Sequence, residues 1–203
     1  ARLLSALVLI PIVIALIYIG GIPWAIAIAV AGALAWGEMS RLLQRSDFAI
    51  DRIVGMAFVV LSIATAYIQA ARLTQVDLLR PLLALLLMAS LIYALYDKSD
   101  HPTQNWAINV ASALYLGFML SHFVTLRERP NGLFWVIFAF AMTWIGDTSA
   151  YFVGSALGKR KLWPRISPKK TWEGLAGEVV ACMIAGPLLG GWLVGINVWQ
   201  GLI

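Results

Sequence analysis

Cysteine occurs once in the 203 residues, as Cys182, so no disulfide can form within the chain and no paired-cysteine metal motif exists. Histidine occurs twice; His101 and His122 stand alone, without metal-ligand spacing around them, and both read as structural. Charged residues make up only 12% of the chain, against about 25% in ordinary globular domains, while hydrophobic residues reach 61%. A single soluble core cannot bury that excess. A soluble globular domain, a disordered chain and a free nucleic-acid-binding domain are therefore excluded, and lipid must be the solvent for most of the chain. Walker loops and nucleophile elbows are absent as well.

What is abundant is long apolar runs, at a mean hydropathy of +0.84. A helix crossing the hydrocarbon core needs about 20 apolar residues. Seven runs approach that length, at 3–19, 22–40, 53–71, 78–96, 105–126, 133–153 and 174–197. They are continuous rather than alternating, which excludes a β-barrel and predicts an all-α, polytopic membrane protein with about seven transmembrane helices in one domain. Turn formers at Gly20–Gly21–Ile22–Pro23, Asp100–His101–Pro102 and Pro130–Asn131–Gly132 separate the runs. Most of the nine tryptophans lie near run ends, as an interfacial belt requires. Glu38 and Asp97, at the ends of the second and fourth runs, read as interfacial.

Lysine and arginine are unevenly divided between the two sides of these spans. Eleven lie on the side of the N-terminus and four, Arg72, Arg80, Arg127 and Arg129, on the other. The positive-inside tendency then predicts a cytoplasmic N-terminus and a cytoplasmic loop at 158–173, in a bacterial-type cytoplasmic membrane. That loop, GKRKLWPRISPKKTWE, carries Lys159, Arg160, Lys161, Arg165, Lys169 and Lys170 against Glu173 alone, which is the whole net charge of +5. Attraction to anionic lipid is one reading of it. An anion site is the other: Ser167 at an N-cap and Pro168 at the first helical position would put Lys169 and Lys170 in a first turn, against the helix dipole, unless a phosphate sits there. Thr171 adds a hydroxyl.

Asp147 falls inside the sixth run, about 21 Å along a helix from Leu133, toward the cytoplasmic third. An acid inside a membrane span is a candidate functional residue facing a partner or a wet cavity. Tyr151 lies one turn on along the same face. Gly146, Ala150, Gly154 and Gly158 form a stripe of small residues suited to close helix packing or to backbone approach by a ligand. Of Glu173 and Glu178, one can pair with the loop lysines and one can belong to a metal sphere.

The combination of GDTSAY at 146–151, GKRKL at 158–162 and RISPKKTWEG at 165–174, with an opening RLLSALVLIPIVIALIYIGG and a span ending WGEMSRLL, resembles the phosphatidate cytidylyltransferase family, the CDP-diacylglycerol synthases. The resemblance runs over essentially all 203 residues. It implies a CTP- and magnesium-dependent nucleotidyltransferase of phospholipid biosynthesis, with CTP, phosphatidate and the bilayer as partners, no nucleic acid, and room for a homodimer. It further implies Asp147, Lys169 and Lys170 as catalytic residues. Tyr151, Lys159, Arg160, Arg165, Ser167 and Thr171 would join the two lysines in substrate binding, and Asp147 and Glu173 would hold the Mg2+. The family's C-terminal signature of Lys-Asp, Pro-Gly-His-Gly-Gly and Asp-Arg elements is absent and Ala1 replaces an initiating methionine, so the expectation is a truncated chain, inactive by itself. Two other readings stand beside this one: a related CTP-using membrane lipid enzyme of the CDP-archaeol synthase or polyprenol kinase type, and a non-catalytic protein whose loop binds anionic lipid.

Overall fold

The computed structural model describes residues 2–96 and 98–202, with side chains from residue 9 onward; Asp97 and the Arg2 side chain lie outside the described residues. Each of the seven expected runs is a helix: α1 (Arg2–Ile19), α2 (Gly21–Arg45), α3 (Arg52–Ala70), α4 (Leu79–Ala94), α5 (Pro102–Arg127), α6 (Gly132–Leu157) and α7 (Trp172–Leu193). A strand pair, β1 (Lys161–Trp163) and β2 (Ser167–Thr171), separates α6 from α7, and a five-residue α8 (Val198–Leu202) follows. Five helices, α2, α3, α5, α6 and α7, are long and apolar enough to cross a membrane; α4 and the described apolar part of α1 are shorter. The protein is an all-α membrane protein, with Leu34, Ile53, Leu85 and Trp192 among the large apolar side chains left on its surface. The last run ends early, at Leu193, because Gly195 takes a φ of +72° and the Gly190 carbonyl accepts from both Val194 and Ile196.

The chain forms two compact units that meet in sequence at Pro130 and Asn131. In the first, α2, α3 and α5 pack through small residues, as helices in lipid do where no hydrophobic effect drives their association. Trp36, Phe58, Val59, Ile63 and Val124 are fully or almost fully buried there. Asp51 caps α3 by accepting from Ile53 N at 2.9 Å and Val54 N at 3.0 Å. In the turn before α4, Asp77 accepts from Leu79 N, and the Gln69 amide bonded to it holds its carboxyl below the ordinary carboxylate range. Arg127, at the end of α5, donates to the Ile17 and Tyr18 carbonyls that α1 leaves unpaired.

Gly55 shows how tight this unit is. A Cβ there would stand 1.8 Å from Cζ2 of Trp36, whose indole N–H donates to the Arg52 carbonyl at 2.9 Å. The ring cannot retreat without breaking that bond. Gly55→Ala is therefore expected to destabilise the protein by about 1–3 kcal/mol. Gly37→Ala, where only the Arg41 guanidinium lies within 3.8 Å, is expected to leave thermal unfolding in detergent nearly unchanged.

In the second unit α6 and α7 run antiparallel, in contact along their length. Gly174 lies against the Ala150 carbonyl, Gly177 against Val153, and Gly146 against Glu178 and Cys182. Helix packing thus accounts for the small-residue stripe of α6.

Candidate functional site

The α6–α7 junction is built around Thr171. This residue is 4% exposed, and its Oγ1 accepts from Gly174 N at 3.1 Å, which makes it the N-cap of α7. It fits because Gly154 and Gly158 carry no side chain: a Cβ on Gly158 would lie 2.7 Å from the Thr171 hydroxyl. Trp172 N donates to the Arg160 carbonyl at 3.0 Å, and both Glu173 carboxylate oxygens accept from Arg160 N at 3.3 Å. These bonds tie the root of a hairpin to the start of the helix.

The expected helix start at Ser167 and Pro168 is corrected by this arrangement. Residues 167–171 are a strand, so Lys169 and Lys170 do not occupy a first helical turn, and the residue that does is Glu173, as the helix dipole prefers. The segment holds two candidate caps, and Thr171 prevails because its hydroxyl is buried among three glycines while Ser167 has no comparable seat. Pro168 is tolerated because it lies where the strand pairing is irregular. Lys161 pairs with Thr171 and Trp163 with Ser167, which leaves Pro168, Lys169 and Lys170 facing Leu162 alone. With Trp172 N and Gly174 N already bonded, the start of α7 is not an open cradle of N–H groups.

The charge of the hairpin, in contrast, is largely uncommitted; only Arg160 lies in the field of the Glu173 carboxylate. Lys159, Arg160, Lys161, Arg165, Lys169 and Lys170 are all exposed, and among the described residues none has an ion-pair partner. Glu173, the one acid of the segment, is engaged with backbone N–H rather than with a lysine. Ser167 is half-buried.

Asp147 is the sixteenth of the 26 residues of α6, nearer its middle than the sequence suggested, because the helix continues to Leu157 rather than 153. It is exposed on this unit and has no hydrogen-bond or ion-pair partner among the described residues. Glu178 of α7 is half-buried and likewise without a partner; its Oε1 lies 3.5 Å from where a Cβ on Gly146, the residue before Asp147, would stand. The antiparallel packing thus places Glu178, not the Glu173 expected beside Asp147 as a magnesium ligand, against the residue before Asp147. Tyr151 is 70% exposed and packs edge-on to Phe152, with no bond to Asp147. Among the described residues no group of three or more acids, histidines or cysteines is gathered for a metal.

Residues 1–203 match the family described as the cytidylyltransferase family. The chain is similar to proteins named phosphatidate cytidylyltransferase from three bacteria. The one from Bacillus subtilis is 29% identical over 187 residues, covering 90% of this chain and 68% of that protein. The one from Brucella abortus is 32% identical over 206 residues, covering 96% and 71%. The one from Staphylococcus epidermidis is 31% identical over 205 residues, covering all of this chain and 76% of that protein.

Proposed function

The chain belongs to the cytidylyltransferase family, and we propose that it serves the reaction in which CTP and phosphatidate give CDP-diacylglycerol and pyrophosphate at the cytoplasmic face of a bacterial membrane. The observation that carries this reading is the pairing, within one unit, of a hairpin with six unpaired cations and a helix pair with two partnerless carboxylates. A phosphate oxygen of the lipid attacks the α-phosphorus of CTP, the new P–O bond forms, and the α–β bridging bond breaks to release pyrophosphate. Both reactants are polyanions, so neutralising and orienting them is most of what a protein can contribute. Lys159, Arg160, Lys161, Arg165, Lys169 and Lys170 do this from the hairpin, with Ser167 and Tyr151 as polar contacts at its edge. Thr171 and Glu173 hold the hairpin on α7.

Magnesium usually takes one or two carboxylates and completes its shell with phosphate oxygens and water. Asp147 and Glu178 fit that demand, and we assign the cation to them ahead of Glu173, whose carboxylate accepts the Arg160 N–H. When bound, the ion supplies charge neutralisation on the phosphates. The test is CTP-dependent pyrophosphate release with phosphatidate, against ATP as donor and a polyprenyl lipid as acceptor. Release that requires both CTP and phosphatidate supports the reading, and preference for the polyprenyl lipid overturns it.

Because the hairpin geometry singles out no one lysine pair, neutralising Lys169 and Lys170 to Gln and neutralising Lys159 and Lys161 to Gln are expected to weaken CTP binding comparably, by roughly tenfold per pair. Loss confined to the Lys169 and Lys170 variant would point to a discrete two-lysine phosphate site. Orientation has its own check. With Cys182→Ser as background, a cysteine at Ser155 or Ser167 is expected to resist an impermeant thiol reagent added outside intact cells; efficient labelling would put the hairpin on the other face.

A further inference from the structure

Residues 158–171 join α6 to α7, two helices long and apolar enough to cross a membrane, so the hairpin stands at a membrane surface. Its far end is a four-residue turn, closed by Ile166 N donating to the Trp163 carbonyl at 3.1 Å. Pro164 holds the second position, where its fixed φ suits a turn. The side chains of this turn are the reverse of what water favours. Turns that face water draw mainly on Gly, Asn, Asp and Ser. Here Trp163 is 61% exposed and Ile166 73% exposed, with Pro164 and Arg165 exposed between them. The pairing gives the reason. Trp163 lies opposite Ser167, which is too small to cover an indole, and the sheet has only two strands. The Trp163 side chain accordingly has no hydrogen bond or ring contact among the described residues.

The charges around the turn decide what covers it. Arg165 sits within it, and Lys161, Lys169 and Lys170 stand behind it, all exposed and without an ion-pair partner among the described residues. An apolar protein surface laid over Trp163 and Ile166 would desolvate these cations without pairing them. An anionic leaflet answers both needs, because tryptophan favours the headgroup level of a bilayer and each basic residue near an anionic surface adds attraction. The backbone limits the depth. An isolated strand pair has unpaired N–H and C=O groups along its edges, which cannot enter hydrocarbon, so only the side chains of the turn can go in. We propose that the turn from Trp163 to Ile166 anchors the hairpin to an anionic bilayer, with the Trp163 and Ile166 side chains in the headgroup layer and Arg165 against a lipid phosphate. This inference rests on the place of the hairpin between two membrane-crossing helices and not on CTP as a ligand of its cations.

The bond between Arg165 and Ile166 is a trypsin site inside the turn, which allows a test on the unlabelled full chain in lipid nanodiscs, where both membrane faces are open to the protease and no nucleotide is present. Cleavage after Lys98, an exposed loop residue, is the reference within the same discs and corrects for any attraction of the protease to the lipid. Relative to that reference, initial cutting at Arg165 is expected to be about tenfold slower in phosphatidylcholine discs containing phosphatidylglycerol than in phosphatidylcholine alone. Trp163→Ser with Ile166→Ser is expected to remove most of this protection, and Trp163→Phe with Ile166→Leu to keep it. The lipid comparison uses the unaltered chain, so it holds even if the serine variant loosens the hairpin. Equal protection in the two lipids overturns the proposal in favour of a protein contact over the turn. Rapid cutting in both overturns it in favour of a turn standing free in water.

Discussion

Asp147→Asn is expected to reduce CDP-diacylglycerol formation by a hundredfold or more while leaving membrane insertion and thermal unfolding close to those of the unaltered protein. The two halves of this expectation have one cause. Asp147 bonds nothing among the described residues, so its charge supports no fold contact that Asn would lose. A carboxylate midway along an apolar helix is nevertheless expensive, and one without a structural partner among the described residues is a candidate for ligand binding, the role proposed for it above. Asn preserves shape and removes only the charge that would hold a divalent cation against the phosphates. Mn2+ binding followed by electron paramagnetic resonance gives a readout apart from turnover: Asp147→Asn should weaken it, and Glu178→Gln should weaken it in parallel. Near-normal activity of Asp147→Asn across magnesium concentrations would make the residue a structural partner instead.

Gly158→Ala is expected to have the second largest effect, through geometry rather than charge. The added methyl would fall 2.7 Å from the Thr171 hydroxyl and 2.2 Å from the Gly154 carbonyl, so either α6 or the cap of α7 must shift. Losing a threonine cap costs about 1 kcal/mol, and the overpacking about 1–3 kcal/mol more. Because Thr171 is also the last residue of β2, the shift carries into the hairpin and its six cations. CTP affinity should fall by at least tenfold, with a lowered unfolding temperature. Thr171→Ser, which keeps the hydroxyl, is expected to retain most of both. Unchanged CTP affinity in Gly158→Ala would mean that the hairpin holds its shape without this root.

Much of the junction's composition was legible along the chain, and what was not shares a physical origin. The loop charge needed only counting, because the rest of the sequence balances to zero and sixteen residues hold the excess. Asp147 needed only its apolar neighbours. The start of α7 was misread because Ser167 and Thr171 are both good caps by residue type. What separates them is a seat formed by Gly154 and Gly158, which lie more than a dozen residues earlier, in and just past the end of another helix. Glu178 was undecidable from spacing, since its nearness to Gly146 depends on how far α7 slides along α6.

The sequence alone determined that this protein lives in lipid, that its backbone pairs within helices and that its positive charge is concentrated at one junction, because each of these follows from composition and local periodicity. Tertiary structure decided that the junction is a hairpin capped by Thr171 rather than a helix begun at Ser167, that Glu173 serves Arg160 N–H, and that Glu178 lies against Gly146, the residue before Asp147. Those outcomes turn on glycine-sized gaps between segments distant in sequence. Fit in such gaps is a property of surfaces in contact, which no window along a single chain contains.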